Sequence, residues 1–201
     1  ANADAVRQSL EIVSKAAEKI ERLVNHLRNL ARANDVKPER LDLRQCIDGA
    51  LFMVKSKLDK GRVRVAREMP ETPCPVVGYD VQLEQVFMNL CSNACDAMQG
   101  VAEPTLTVRL RHLPDTGEGA QWECRVRDVG CGIPPEDRER VFQAFFTTKR
   151  KGEGTGLGLA IVQSIVHTHG GRIELESELN AGSTFRILLP AAGASVGPTS
   201  P

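Results

Sequence analysis

In the short stretch "NLCSNACDA", residues 89–97, the spacing of two asparagines and an aspartate raises a chemical question. Asn89 and Asn93 are four residues apart, and Asp96 follows three further on. At about 100° per residue they share one edge of a helix. Beside that edge runs an apolar stripe of Leu83, Val86, Phe87, Leu90, Ala94, Ala97 and Met98. An amide flanking a core needs a hydrogen-bond partner, since burying it without one costs roughly 1–3 kcal/mol. Either the rest of the chain supplies that partner or a polar ligand does.

Two further stretches carry candidate chemistry. "WECRVRD" alternates, with Trp122, Cys124, Val126 and Asp128 on one face and Glu123, Arg125 and Arg127 on the other. Asp128 then ends a strand on the side facing the helices, where a carboxylate is costly unless it accepts hydrogen bonds. In the following "VGCGIP", Gly130 and Gly132 remove side chains and would let a flat group approach the backbone. A carboxylate at such a slot could take an exocyclic amine such as the adenine N6. In isolation the plainer reading is an aspartate capping a turn. In "GEGTGLGLAIV", residues 152–162, four glycines lead into a predicted helix start, where free amides and the dipole attract phosphate. It is not a Walker pattern, because no Lys-Ser/Thr follows Gly158, nor a dinucleotide fingerprint, because Leu159 stands where the third glycine would be. Ahead of it "VFQAFFTTKRK" reads as apolar anchors, Phe142, Phe145 and Phe146, under a mobile lid of hydroxyls and base.

The elements that must position these residues are mixed. Residues 4–33 are predicted as one long helix, with Val6, Leu10, Val13, Ala17, Ile20, Val24, Leu27 and Ala31 forming an a/d seam that wants a partner helix. Pro38 cannot continue it. Helices are expected at 43–59, 79–99 and up to about 168. Strands are expected at 62–68, 105–111, 121–128, 172–178 and 183–189. Strands with helices that could cover one face predict an α+β fold, a two-layer α/β sandwich. The tail, 191–201, has a linker composition.

Bulk composition excludes several classes. The 26 basic and 26 acidic residues cancel, so no nucleic-acid or anionic-membrane partner is indicated. No apolar run approaches the roughly 18 residues of a membrane span, and no signal-peptide pattern opens the chain. Six cysteines are scattered without a Cys-x-x-Cys pair; they read as buried, reduced thiols rather than metal ligands, which implies a cytoplasmic setting.

Taken in order, "QLEQVFMNLCSNACDAM", "DVGCGIP", "FQAFFTTK" and "GTGLGLAIV" resemble the N, G1, F and G2 boxes of the sensor histidine kinases, which share the Bergerat ATP-binding fold with gyrase, MutL and the heat-shock chaperone. "HGGRIELES" and "GSTFRILLP" are similar to that family's closing strands, and "RLVNHLRNLAR" to the second helix of its dimerisation and phosphoacceptor hairpin. The resemblance divides the chain into 1–37, the hairpin helix and linker; 38–190, the catalytic ATP-binding domain; and a flexible tail, 191–201.

The resemblance also implies roles. Asn93 would bind the Mg²⁺ that bridges the ATP phosphates, with Asn89 assisting at phosphates or metal; an amide oxygen is a hard ligand suited to that ion. Asp128 would bind the adenine N6, with Gly130, Gly132 and Ile133 at the base. Thr148, Lys149, Gly154, Thr155, Gly156, Leu157 and Gly158 would form the lid and phosphate cradle, and Thr184 would lie near the adenine. Asn89, Asn93 and Lys149 are the catalytic set. The hydrolytic branches carry a glutamate where Asn89 stands, so transfer to a protein side chain is favoured over hydrolysis. Two positions depart from the family pattern. Ala144 replaces a common proline, which loosens the lid. Asp96 replaces a phosphate-contacting lysine of some members, leaving Lys149 as the cation at the phosphates.

No histidine has the acceptor's context, a histidine followed by an acid on the first hairpin helix. His26 precedes Leu27 at an outward position, His112 ends a strand, and His167 and His169 lie at a helix terminus where cations suit the dipole. The acceptor is therefore expected outside this chain, on a missing hairpin helix, with a response regulator as the next partner and a homodimer as the full-length state. The alternatives are a Bergerat-fold ATPase or a pseudokinase adaptor that uses the fold only to bind partners.

Overall fold

The structure is a computed structural model, and it describes residues 37–117, 119–149 and 154–193. The expected helix over 4–33 and its seam lie outside them, as do His26, the end of the tail and residues 150–153.

A two-stranded sheet opens the fold. β1 (Glu39–Asp42) pairs antiparallel with β3 (Pro75–Gly78). Asp42 then caps α1 (Leu43–Met53), its carboxylate accepting from the Arg44 N–H at 3.1 Å and pairing with the Arg44 guanidinium. The single helix expected over 43–59 is broken at Val54, whose ψ of 4° leaves helical geometry. Val54 and Leu58 are both buried, and α2 spans Lys55–Lys60.

The main sheet has five strands in the order β2-β4-β5-β7-β6. These are β2 (Arg64–Glu68), β4 (Thr105–Leu113), β5 (Gln121–Arg127), β6 (Arg172–Glu178) and β7 (Gly182–Pro190). β2 runs parallel to β4, and the other pairs are antiparallel. α3 (Asp80–Ala97) and α4 (Gly158–Thr168) join α1 on one face. That face buries Leu106, Val108, Leu110, Trp122, Cys124, Val126, Phe185 and Ile187 against Leu83, Phe87, Leu90, Ile161, Val162 and Ile165. The two-layer sandwich expected from the sequence is the observed one.

The other face of the sheet is polar. Glu123, fully buried, pairs there with Arg111, Arg125 and Arg186. Burial pushes its carboxyl up, but the three guanidinium groups outweigh that and bring it down to about 2. Beyond Pro190, the Ala191 and Ala192 N–H groups still donate to Ala120 O and Pro75 O, so regular bonding runs slightly past the expected domain end. Five cysteines are buried free thiols and Cys131 is exposed.

Candidate functional site

The polar edge of α3 meets the first turn of α4. A Cβ on Gly158 would lie 3.6 Å from Asn89 Oδ1 and 3.9 Å from Asn93 Nδ2, so both amides sit against the free N-terminal end of that helix. Glycine at 158 leaves room there that any side chain would take. No side chain caps α4. Asn89 Nδ2 is buried and has no hydrogen-bond partner among the described residues. Among the described residues, none supplies the partner that burial of this amide demands.

Lys149 comes to the same edge. Its Nζ donates to Asn93 Oδ1 at 3.2 Å and to Asp96 Oδ2 at 2.6 Å. The other oxygen of Asp96 faces Lys57 Nζ at 2.6 Å. Burial acts to raise the Asp96 carboxyl, yet the hydrogen bonds from Lys149 and Lys57 prevail and hold it below the usual carboxylate range. Sequence reading placed Lys149 here and missed Lys57, which no motif flags.

Asp128 follows the last residue of β5 and is 3 % exposed. Its N–H donates to Ser183 O at 2.9 Å, and its Oδ1 accepts from the Gly130 N–H at 2.8 Å. Burial pushes its carboxyl above the ordinary value, against the opposing hydrogen bonds from the Gly130 and Ser183 backbones. A carboxylate in this setting gains from a further donor.

The loop after Asp128 is wedged between two elements. Cys131 N–H donates to Ala97 O at the end of α3, Asn180 N–H donates to Cys131 O, and Ile133 N–H donates to Ser177 Oγ at 2.8 Å. Gly130 and Gly132 are required by the packing of the loop itself. A Cβ on Gly130 would strike Ala97 O, and one on Gly132 would strike Glu178 O. Gly132 also has φ +70°, the left-handed region. What approaches these glycines closely is the protein's own backbone, which fixes the loop's shape. The α3 carbonyl at Ala97 links this loop to the helix that carries Asn89 and Asn93.

Thr184 lies on the sheet's other face. Its register partner is Arg127, on the polar face of the sheet, so it points away from Asp128. Ser183, 5 % exposed, takes the inward position, with its hydroxyl 2.9 Å from that of Ser177. The alternation that buries Phe185, Ile187 and Leu189 already implied this.

The segment between the two glycine motifs makes two short 3₁₀ turns, Pro135–Asp137 and Arg140–Phe142. Phe142 packs edge-on against Phe185, with ring centroids 6.4 Å apart, and Phe146 lies under the Arg140 guanidinium. Phe145 is 61 % exposed rather than an apolar anchor. Its φ of +69° is unusual for a bulky residue, and its N–H donates to Gly156 O at 2.8 Å. Gly154 lies against Thr147, Thr155 Oγ1 accepts from Leu157 N–H at 3.4 Å, and Thr148 is exposed.

His169 also departs from expectation. It is not a cation at a helix end. Its Nε2 accepts from the Tyr79 N–H at 3.0 Å while Nδ1–H donates to Ile165 O at 2.8 Å, and burial lowers its pKa.

This arrangement coincides with known proteins. The sequence profile of the Histidine kinase-, DNA gyrase B-, and HSP90-like ATPase family matches residues 78–193, and the chain belongs to that family. Sensor kinase CckA of Brucella abortus is 35% identical over 188 residues, covering 89% of this chain and 20% of that protein. Two-component sensor PprA of Pseudomonas aeruginosa is 34% identical over 191 residues, covering 94% of this chain and 20% of its own length. The chain thus spans about a fifth of these relatives. A solved mycobacterial sensor histidine kinase, MprB, superposes with a TM-score of 0.66 at 29% identity, covering 78% of this chain and 98% of that one. Fold and relatives together mark an ATP-binding catalytic domain of the histidine-kinase kind.

Proposed function

We propose that residues 38–190 are the catalytic domain of a sensor histidine kinase that binds Mg-ATP and passes the γ-phosphoryl to a histidine outside this chain. Residues 1–37 are then the second hairpin helix with its linker, and 191–201 a tail. Asp128 accepts the adenine N6 amine beside Ser183, with Gly130, Gly132 and Ile133 shaping the base pocket. Asn89 offers its orphaned Nδ2 to phosphate oxygen, and Asn93 offers Oδ1 to the metal. Lys149, with Thr148, Gly154, Thr155, Gly156, Leu157 and Gly158, lines the phosphate end, where the free amides of α4 favour anions. Magnesium, when bound, would neutralise charge on the phosphates.

The observation that carries this reading is the buried Asn89 Nδ2, without a hydrogen-bond partner among the described residues, beside Asn93 at the start of α4. The same position argues against a hydrolase. Asn89 has an amide where a general base would need a carboxylate or an imidazole. A response-regulator aspartate would receive the phosphoryl group, in a cytoplasmic homodimer. No described helix is long and apolar enough to cross a membrane.

The test uses ATP labelled at the γ position. In-line transfer needs the acceptor nitrogen within about 3–3.5 Å of the phosphorus. The chain alone should stay unlabelled, and acid-labile, base-stable label should appear on an added hairpin carrying a histidine followed by an acid. Label on His26, or steady phosphate release near about 1 per second without transfer, would overturn the assignment.

A further inference from the structure

Lys57 lies on α2, ahead of every motif that carries the nucleotide reading and ahead of the span matched by the family profile. Its Nζ nevertheless reaches α3 at the residue next to Asn93 and at the end of the same polar edge. It donates to Ser92 Oγ at 2.8 Å and Ser92 O at 2.9 Å, and lies 2.6 Å from Asp96 Oδ1. Lys149 Nζ lies 2.6 Å from the other Asp96 oxygen. One carboxylate thus bridges two ammonium groups, as a phosphate group could. The three side chains remain 22–38% exposed, so solvent and ligand can both reach them.

We propose that Asp96 is an internal stand-in for phosphate, and that Lys57 is a second cation of the phosphate end which engages the terminal phosphate when ATP arrives. This rests on the ATP reading above and adds a residue to it. A carboxylate carries one negative charge, and the two lysines carry two positive ones, so the cluster keeps a surplus positive charge at the rim of the site. A terminal phosphate presents more charge and more acceptor oxygens than a carboxylate, so exchange of the lysines from Asp96 to phosphate is favourable. On the ATP reading, adenosine monophosphate lacks the terminal phosphates the cluster would meet, and the diphosphate presents it with less charge. Lys57 therefore acts in telling ATP from ADP. Asp96 competes with the nucleotide for the same cations, so removing its charge releases them.

The experiment measures Mg-ATP, Mg-ADP and AMP affinities of wild type, Lys57→Met and Asp96→Asn by titration calorimetry, with thermal melts as a folding control. Methionine keeps the apolar stem and removes only the charge. We expect Lys57→Met to weaken ATP about five- to thirtyfold and ADP less than about twofold. Asp96→Asn should tighten ATP by about two- to tenfold, and combining it with Lys57→Met should cancel most of that gain. Should Lys57→Met fold poorly, Lys57→Gln, which removes the charge and keeps a donor for Ser92, supplies the same readout. An unchanged ratio of ATP to ADP affinity in folded Lys57→Met overturns the proposal while leaving the ATP reading intact. Failure of the wild type to bind any adenine nucleotide overturns both.

Discussion

Asp128→Asn is the substitution whose effect the structure defines most narrowly. The wild-type carboxylate is 3 % exposed, with Oδ1 already accepting from Gly130 N–H at 2.8 Å. Asparagine can keep that bond through its own oxygen, which leaves its NH₂ where the second carboxylate oxygen stood. Against the adenine N6 amine, a donor then faces a donor. The loss is that of a charge-assisted hydrogen bond, roughly 1.5–3 kcal/mol, or about 10- to 150-fold in ATP affinity. Guanine presents a carbonyl at the same place, so the variant should hold GTP no worse than wild type does, and the preference for ATP should collapse. Folding should not suffer, because burial disfavours the Asp128 charge and asparagine removes it. The assay is a pair of ATP and GTP titrations on both proteins, with melting midpoints. A wild type that binds the two nucleotides equally, or a variant that loses both by the same factor, would refute base reading by Asp128.

The inward position of β7 gives a second contrast. Thr184→Val should leave ATP affinity within about twofold, whereas Ser183→Val, which breaks the hydroxyl contact to Ser177 beneath Ile133, should weaken it severalfold in the same titration. His169 gives a pH dependence. Its folded pKa lies below the ordinary value near 6.5, so the unfolded chain binds the extra proton first and stability falls as pH drops below that value. Urea unfolding between pH 7.5 and 5.5 should show a loss no steeper than about 1.4 kcal/mol per pH unit from this group, and His169→Gln should flatten it.

Much of this was legible because it is periodic. The stripe on α3 and the alternation in β5 place Asn89, Asn93 and Asp128 without any tertiary information, and both hold in the structure. The misses fall where periodicity is too short or too local. β1 and β3 have four residues each, and β3 is tied to the rest of the fold through Pro75 O, which accepts from Trp122 Nε1 and Ala192 N–H. The break at Val54 falls inside a stretch that reads as helix on both sides. Lys57 is joined to Asp96 across 39 positions of sequence, and nothing in its neighbourhood announces it. Ser183 was legible in another way, since the alternation of β7 gives it the inward position and turns Thr184 to the polar face.

β5 is the middle strand of five, bonded to β4 on one side and β7 on the other, and Asp128 is mounted directly on its end. Lys149 instead sits beyond two 3₁₀ turns, on a stretch held by scattered single contacts. The two ends of the proposed site therefore differ in what they pay to become ordered. A socket rooted in a central strand is preorganised, and a ligand meeting it spends little entropy on the protein's behalf. Side chains at the phosphate end must first give up alternative rotamers and existing partners. On the ATP reading, docking is sequential, with the base captured by a rigid receptor and the charged tail then gathering its own surroundings.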